Sequence, residues 1–359
     1  MDKQQCMKDK KTLASELRNK SVLISGATGL IGARVVAYLA ALNETENANI
    51  RIVALYRSKD KVKTEFKHLI GNSQIDFVEY KIGDKIQYIQ DVDYIIHCAG
   101  VSGGLKMHLK DPVKVFDIGI TGTRDLLEFA VEHHCKGFLY VSTYEVYGSI
   151  YQDNLIKEDS LCELDTFTLR NIYAEIKRLC ESLCCAYSCQ YGVETYAVRL
   201  TSTFGTGVKY SDPRFFAEFA RCIVNSEDIV LKSSGKTVRS YLDADDAATA
   251  FLYVLTKGKN CTAYNLTNMN NAISIKDMAM RMIEVSGKNI KLKIEEVEDV
   301  TKLGFRKEGT TLMDATKLEE LGWKPVYSLD ETLLKVLNSI GGGQRKELNN
   351  TGFSFSRAA

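Results

Sequence analysis

The sequence lacks an excess of charge of either sign, long apolar runs and an apolar N-terminal segment. It holds 47 Lys and Arg against 46 Asp and Glu, and this balance excludes a nucleic-acid partner bound through a general basic field. No apolar run reaches the ~18 residues that a membrane span requires. Residues 1–20 are charged and have no apolar core of the kind found in signal peptides. These absences predict a cytoplasmic protein with no nucleic-acid or membrane partner.

Cysteine is abundant, with 10 residues in a chain of 359. A chain of this length forms one large or two ordinary domains and buries a sizeable core without disulfide staples. Four cysteines fall within one helical pattern: Cys180, Cys184, Cys185 and Cys189. No histidine or second cysteine pair nearby completes a zinc-ligand set. We therefore predict buried, reduced thiols and no metal site.

The stretch around which the chain is organised is 21–32, SVLISGATGLIG, where a short β-branched run leads into three glycines. A helical apolar pattern at 34–42 follows, so the glycines connect a predicted strand to a predicted helix. There, the first glycine permits a tight turn, the second lets the backbone approach a pyrophosphate, and the third lets helix and strand pack closely. An ordinary strand-to-helix turn is the alternative. The predicted cofactor contacts here are Gly26, Thr28, Gly29, Leu30, Ile31 and Gly32.

The end of the second predicted strand, 50–55, bears on the choice of nicotinamide cofactor. An acidic residue there binds the ribose 2′-hydroxyl of NAD, whereas an arginine accommodates the 2′-phosphate of NADP. Here the acid is missing and Arg57 is present. The sequence therefore favours NADP over NAD, with a solvated surface arginine as the alternative.

Further cofactor contacts are predicted after the third and fourth strands, 75–80 and 92–97. Asp84 follows the third strand, where a short polar side chain can reach the adenine. Small residues after the fourth strand let its end lie beneath the dinucleotide: Cys98, Ala99 and Gly100. We expect His97 to be a packed strand-end histidine rather than a general base.

Strands alternate with helices along the chain, which predicts an α/β fold with a doubly wound parallel sheet. Its ligand is expected at the carboxyl ends of the strands. The remaining predicted strands are 137–142, 193–200, 236–242 and 264–266, and the remaining helices are 111–134, 171–190, 211–230, 247–256 and 274–285.

Residues with catalytic chemistry follow the fifth strand and open the next long helix. Thr143 and Glu145 come directly after that strand, and Tyr173 and Lys177 lie one turn apart in the helix 171–190. That spacing lets both side chains point at one ligand. We expect the Lys177 ammonium and a cationic nicotinamide to lower the Tyr173 pKa from ~10 toward neutrality, as a proton shuttle requires. A Y-x-x-x-K pair alone is common on helix surfaces, but its combination with Thr143 and the glycine motif favours catalysis.

Together these motifs resemble the extended short-chain dehydrogenases/reductases, specifically the NAD-dependent sugar-nucleotide epimerase/dehydratase family. The resemblance rests on GATGLIG at 26–32, HCAG at 97–100, DPVKVFDIGITGT at 111–123, STYEVYG at 142–148, YAEIK at 173–177, TFGTG at 203–207, RSYLDADD at 239–246 and LGWKP at 321–325. It implies a Rossmann-type domain followed by a smaller C-terminal α/β domain that binds the nucleotide diphosphate of a sugar.

The resemblance also implies roles for individual residues. Tyr173 stands at the position of the family's catalytic base, Lys177 at that of its partner, and Thr143 at that of the hydroxyl that binds the substrate alcohol. Glu145 stands where the dehydratases and decarboxylases carry a glutamate. Arg239 stands where the family holds the diphosphate.

The sequence departs from the family at several positions. Gly119 and Ser202 stand where the family often has asparagine, and we still expect Ser202 to contact the substrate. The segment RSYLDADD replaces the usual RSF-x-YV-x-D. Tyr144 replaces the Asp or Ser of the best-known sugar dehydratases, whose short polar group assists loss of water. Tyr144 therefore argues against a simple hexose 4,6-dehydratase and indicates a different substrate.

The expected function is a nucleotide-sugar modification of dehydratase or epimerase type that proceeds through a transient 4-keto sugar. Tyr173 would take the proton of the C4 hydroxyl, and Glu145 would take the C5 proton while water leaves from C6. Epimerisation and decarboxylation share the oxidation, and Glu145 favours elimination or decarboxylation over epimerisation. A ketoreductase and an inactive cofactor-binding regulator are further alternatives. The intact Thr143, Tyr173 and Lys177 argue against the regulator.

The expected organisation comprises a lead-in at 1–20, a cofactor domain at 21–200 to which parts of 235–270 return, a mainly substrate-binding domain at 201–340, and a disordered tail at 341–359. The family also implies a homodimer, formed through the helices at 112–134 and 169–191.

Overall fold

The computed structural model describes residues 3–88, 90–100, 110–148, 155–160, 163–296 and 309–342. Its strands are β1 Ser21–Ser25, β2 Arg51–Tyr56, β3 Ile75–Glu79, β4 Tyr94–His97, β5 Gly137–Thr143, β6 Glu194–Leu200, β7 Ser202–Phe204, β8 Ile229–Leu231, β9 Val238–Asp243, β10 Thr262–Leu266, β11 Asn268–Ser274, β12 Leu292–Ile294 and β13 Thr310–Thr311. Within this part of the chain, the main sheet is parallel and has the order β3-β2-β1-β4-β5-β6-β10. The first six strands have the order of a doubly wound Rossmann sheet, which confirms the predicted fold.

The helices are α1 Lys3–Glu16, α2 Leu30–Glu46, α3 Lys59–Glu65, α4 Pro112–Glu132, α5 Ile172–Tyr191, α6 Phe215–Asn225, α7 Ala244–Lys257, α8 Ile275–Ser286, α9 Thr316–Glu319 and α10 Leu329–Gly342. Short 3₁₀ turns occupy Tyr144–Tyr147 and Leu169–Asn171. Among the described residues, no helix is both long and apolar enough to span a bilayer.

Helices cover both faces of the main sheet. Val22 and Ile24 pack in one apolar cluster with residues of α1, α2 and α7, whereas Leu23 packs in another with residues of α4 and α5. This division follows from the strand, because successive side chains point to opposite faces of a sheet. The carboxyl ends of the strands remain at one edge, where the predicted site residues lie.

A smaller sheet is centred on β9, which pairs with β11 antiparallel and with β7 and β13 parallel. A separate apolar cluster, which includes Phe216, Met278 and Leu333, packs α6, α8 and α10 together. In contrast, β10 and α7 return to the main sheet: β10 pairs with β6, and Phe251 of α7 packs in the cluster that contains Val22.

Two helices differ in extent from the sequence prediction. The helix after the glycines begins at Leu30 instead of residue 34, because Gly29 is its N-cap and the turn leads straight into the helix. The helix predicted over 211–230 is limited to α6, because Ser226 adopts a left-handed φ of 61° and ends it before β8.

The C-terminal end of the chain differs from the prediction, whereas the N-terminal lead-in belongs to the fold. The lead-in at 1–20 contains α1. Its Leu13, and Leu17 just after the helix, are fully buried against the core of the main sheet. The tail was predicted to begin at residue 341, but α10 continues through Gly342. The rest of that tail, 343–359, lies outside the described residues.

Candidate active site

In the glycine turn, backbone segments pack so closely that a side chain on Gly26 or Gly32 would clash with them. Gly26 has a φ of +66°, and a Cβ at this position would lie 2.8 Å from the Ala99 nitrogen. A Cβ on Gly32 would overlap the Gly26 carbonyl oxygen, so α2 packs directly on the turn. The Gly29 N–H donates to the Gly26 carbonyl at 2.9 Å, and the helix begins at the next residue. This cradle fits the pyrophosphate of a dinucleotide.

The other predicted cofactor contacts follow strands at the same edge of the sheet. Arg57 comes directly after β2 and is exposed. Asp84 is exposed in a turn beyond β3, in which its N–H donates to the Lys81 carbonyl at 2.9 Å. In the glycine turn and the first turn of α2, the predicted contacts Thr28, Leu30 and Ile31 are half-buried. After β4, Cys98 and Ala99 are half-buried and Gly100 is exposed.

His97 is the packed histidine that the sequence predicts. Its Nδ1 lies 2.6 Å from Ser25 Oγ, and its Nε2 lies 3.1 Å from Thr123 Oγ1. Burial lowers its pKa to about 3, so the ring is neutral near pH 7. The Ser25 hydroxyl also accepts the Ala99 N–H at 3.2 Å, which fixes the end of β4 beside the glycine turn.

Thr143, Tyr173 and Lys177 come together at the carboxyl end of β5. The Thr143 hydroxyl lies close enough to the Tyr173 phenol to lower its pKa. Lys177 Nζ lies 5.9 Å from the centroid of the Tyr173 ring and donates to the Val141 carbonyl at 2.7 Å. A Cβ on Gly100 would lie 3.7 Å from the same Nζ. The catalytic candidates therefore adjoin the edge where the cofactor contacts lie.

Burial dominates the protonation of both helix residues. It lowers the Lys177 pKa to about 8. It also raises the Tyr173 pKa, with Glu145 adding to the rise and the Thr143 hydroxyl opposing it. The expected lowering of the Tyr173 pKa is therefore wrong for the protein's own groups. The physical reason is that Lys177 Nζ donates to the Val141 carbonyl, while the phenol is buried beside a carboxylate.

Glu145 is held by an ion pair that the sequence did not reveal. Arg170 Nη1 donates to Glu145 Oε2 at 2.8 Å, and both side chains are largely buried. The Glu145 N–H in turn donates to Thr143 Oγ1 at 3.3 Å, which fixes the turn after β5. Arg170 lies just before α5, in a stretch without periodic pattern or motif, so no sequence signal pointed to it.

The two predicted substrate contacts outside the main sheet are carried by the smaller sheet. Arg239 lies on β9, and its Nη1 donates to the Tyr144 hydroxyl at 2.7 Å, so it reaches the catalytic end of β5. Ser202 lies on β7 and is half-buried; the strand register places it opposite Tyr241, two residues along β9 from Arg239.

Gly119 is required by the close crossing of α4 and α5. A Cβ at this position would overlap Ile176 Cγ2. The Gly119 carbonyl accepts from Thr123 Oγ1 at 2.7 Å. The asparagine that the family often carries here does not fit unless the Ile176 side chain or α5 shifts, and α5 holds Tyr173 and Lys177.

Across the described residues the cysteines are unbridged but not all buried, and the exposed ones correct the sequence expectation. Cys180 and Cys184 are buried, whereas Cys185 and Cys189 are exposed and unbridged. The reason is their phase on α5, since residues one position apart on a helix face different directions. Over the described ranges, no group of three or more His, Cys, Asp or Glu side chains is arranged to hold a metal ion.

The family model for the NAD dependent epimerase/dehydratase family matches residues 22–267. The chain belongs to this family. The matched segment contains the glycine turn, the group formed by Thr143, Tyr173 and Lys177, and Arg239. The chain is therefore an enzyme.

Relatives and a solved structure agree with this assignment. The chain is 26% identical over 280 residues to dTDP-D-glucose 4,6-dehydratase of Dictyostelium discoideum, covering 74% of this chain but only 62% of that protein. It is 26% identical over 320 residues to UDP-glucuronic acid decarboxylase 5 of Arabidopsis thaliana, covering 88% of this chain and 87% of that protein. The fold matches that of Bacillus cereus UDP-glucuronic acid 4-epimerase, solved with UDP-glucuronic acid and NAD, with a TM-score of 0.75, 21% identity and coverage of 89% and 98%.

Proposed function

We propose that this enzyme modifies a nucleoside-diphosphate sugar through a transient 4-keto intermediate, by dehydratase- or epimerase-type chemistry. The observation that carries the proposal is the meeting of Thr143, Tyr173 and Lys177 beside the end of β4. The glycine turn lies at the same edge and fits a dinucleotide. The named activities of the relatives support the same class of substrate.

Tyr173 transfers the proton and Thr143 orients the alcohol. The ionised phenol takes the proton of the C4 hydroxyl, while the Thr143 hydroxyl hydrogen-bonds the same alcohol. A bound oxidised nicotinamide would supply the acceptor for the C4 hydride, and its positive charge would favour the ionised form of the Tyr173 phenol. Burial raises the Tyr173 pKa in the protein without cofactor. Ionisation of Tyr173 is therefore coupled to binding of the dinucleotide at the glycine turn.

Glu145 acts after the oxidation. A ketone at C4 acidifies the neighbouring C5–H bond, and the Glu145 carboxylate accepts that proton and passes it to the C6 hydroxyl, which leaves as water. The hydride taken from C4 would then return to C6, so the net change is the loss of water. Arg170 holds this carboxylate beside Tyr173. Decarboxylation of a sugar with a C6 carboxylate is the second candidate, because the Arabidopsis decarboxylase aligns over 87% of its length.

The cofactor proposed for this site is NAD or NADP, with NADP favoured. Arg57 follows β2 where the 2′-substituent of the adenosine ribose is expected, and its exposed guanidinium is available to a 2′-phosphate. Lys177 Nζ lies next to the end of β4, where it can donate to the nicotinamide ribose. Comparing cofactor affinity in the enzyme and in Arg57→Ser tests this preference.

The substrate diphosphate is assigned to Arg239, with Ser202 on the neighbouring strand as a second contact.

We also propose that the enzyme is a homodimer formed through α4 and α5. Val113 and Leu179 on these helices are 70% and 48% exposed, and such apolar exposure supports a protein interface there.

The experiment is incubation of the full-length enzyme with NAD or NADP and a panel of UDP-, dTDP- and GDP-linked hexoses and hexuronic acids. Loss of water from the sugar identifies a dehydratase, loss of CO₂ a decarboxylase, and a product of unchanged mass an epimerase. Gain of two hydrogens identifies a ketoreductase. Conversion is expected to disappear in Tyr173→Phe. No conversion of any sugar, or full conversion by Tyr173→Phe, contradicts the proposal.

A further inference from the structure

Tyr144 occupies a central position that neither the mechanism nor the family pattern explains. It lies between Thr143 and Glu145 in the sequence and is the first residue of the 3₁₀ turn Tyr144–Tyr147. This turn is fixed at both ends, since Thr143 Oγ1 accepts the Glu145 N–H and the Gly148 N–H donates to the Glu145 carbonyl at 3.0 Å. The backbone of Tyr144 is therefore held firmly, and its half-buried side chain is directed by that turn.

The Tyr144 side chain connects the main sheet to the smaller sheet. Arg239 Nη1 donates to its hydroxyl at 2.7 Å, and the guanidinium carbon lies 5.4 Å from the centroid of its ring. Tyr144 also lies close enough to Tyr173 to contribute to the raised pKa of that phenol. Tyr144 thus stands between the reacting phenol and the arginine assigned to the diphosphate.

The length of the tyrosine side chain is what makes this contact possible. A serine or aspartate at position 144 is several bonds shorter, so its oxygen could not reach Arg239 from the same backbone position. Arg239 Nε is buried and has no hydrogen-bond partner among the described residues, so the Tyr144 hydroxyl is a main determinant of where the guanidinium points. Without that hydroxyl, the long arginine side chain regains rotamers that point elsewhere.

We propose that Tyr144 is a positioning residue that orients the Arg239 guanidinium for the diphosphate of a nucleoside-diphosphate ligand. This inference rests on the proposed function. Because the phenol oxygen accepts the hydrogen bond from Arg239, its own O–H remains able to donate to a phosphate or sugar oxygen. Tyr144 and Arg239 act as one unit in holding the ligand.

The test is a double-mutant cycle read by calorimetric binding of UDP, dTDP and GDP to the full-length enzyme. Tyr144→Phe is expected to weaken binding of the tightest of the three about tenfold, the loss of one hydrogen bond to a charged group. In the Arg239→Met background, the same change is expected to have no effect on affinity. Tyr210→Phe is the matched control, because Tyr210 also contacts an arginine, Arg221, but lies on the exposed surface.

The outcomes separate this inference from the proposed function. Equal weakening by Tyr144→Phe in both backgrounds, with unchanged thermal unfolding, contradicts positioning through Arg239. Unchanged affinity in Arg239→Met also overturns the inference, while the conversion of sugars tests the proposed function independently. Failure of the unmodified enzyme to bind any of the three nucleotides overturns the inference, and the proposed function is overturned only if no nucleotide sugar is converted either.

Discussion

Two charged clusters in this enzyme are built in different ways. The crevice cluster consists of Thr143, Glu145, Tyr173 and Lys177. The ionic cluster consists of Arg34, Asp243, Asp245 and Lys335. In the ionic cluster, Lys335 Nζ lies 2.9 Å from Asp243 Oδ1 and 2.8 Å from Asp245 Oδ2, and Arg34 pairs with Asp245. Both carboxylates are almost fully buried, and these ion pairs join α2, β9, α7 and α10.

Lys177 of the crevice cluster is buried without such compensation. Among the residues that the structure describes, no carboxylate lies within ion-pair distance of its Nζ, which donates to a backbone carbonyl instead. Burial lowers its pKa to about 8. Paired buried charges hold elements together, whereas a buried charge without a counter-ion destabilises the fold and is available for chemistry.

The largest expected effect on stability comes from breaking the ionic cluster. Lys335→Met leaves the Asp243 and Asp245 carboxylates buried without their shared cation and is expected to lower the free energy of unfolding by about 3–5 kcal/mol. Denaturant unfolding measures this change. The control is Lys232→Met, which removes an exposed partner of Glu295 and should cost less than about 1 kcal/mol. Equal losses of unfolding free energy in the two variants would contradict the claim that the buried ionic cluster stabilises the fold.

Breaking the ion pair in the crevice should instead affect catalysis. Arg170→Met releases the Glu145 carboxylate, and displacement of a reacting group costs about 100-fold in kcat. The measurement is kcat for the nucleotide sugar that the product-mass experiment identifies, together with the free energy of unfolding. Arg178→Met is the control, because Arg178 pairs with Glu175 on the outer face of α5. If Arg170→Met lowers the free energy of unfolding enough to explain the lost activity, the ion pair stabilises the fold and does not serve catalysis.

The next effect concerns the helix that carries Tyr173 and Lys177. Gly119→Asn is expected to lower the free energy of unfolding by about 1–3 kcal/mol, because its side chain overlaps Ile176. Denaturant unfolding measures the loss. Gly309→Asn, where a side chain meets open space, should change stability by less than about 0.5 kcal/mol. If Gly119→Asn is equally harmless, the two helices are not in tight contact.

The smallest effect is a pH dependence that Lys177 contributes to stability. Its folded pKa of about 8 is below the unfolded value of 10.5, so the folded protein binds fewer protons between these pH values. The Lys177 contribution therefore raises the free energy of unfolding as pH increases, by about 1 kcal/mol from pH 8 to pH 9.

Comparison with Lys177→Met isolates this contribution, because other titrating groups are shared. From pH 8 to pH 9, the free energy of unfolding of the enzyme should increase relative to that of the variant. A constant difference contradicts an uncompensated buried ammonium.

Local patterns predicted the parts of the site that lie within single elements. The glycine turn follows from spacing between a strand and a helix, and the shared face of Tyr173 and Lys177 follows from one helical turn. Likewise, the alternation of strands and helices was enough to predict the main sheet. These features depend on neighbours in sequence, which the sequence displays directly.

Contacts across long separations were beyond the sequence. Arg170 pairs with Glu145 from a stretch without pattern, and Arg34 pairs with Asp245 from a distant part of the chain. The direction in which the protein's own groups shift the Tyr173 pKa was wrong, because that shift depends on burial and on where Lys177 Nζ points. Neither property is readable from a spacing of four residues.

The most direct test of proton transfer by Tyr173 is a single-turnover measurement of nicotinamide absorbance after the cofactor-loaded enzyme is mixed with its nucleotide sugar. We expect a transient rise of reduced nicotinamide in the enzyme and none in a folded Tyr173→Phe variant. An equal transient in that variant would contradict proton transfer by Tyr173.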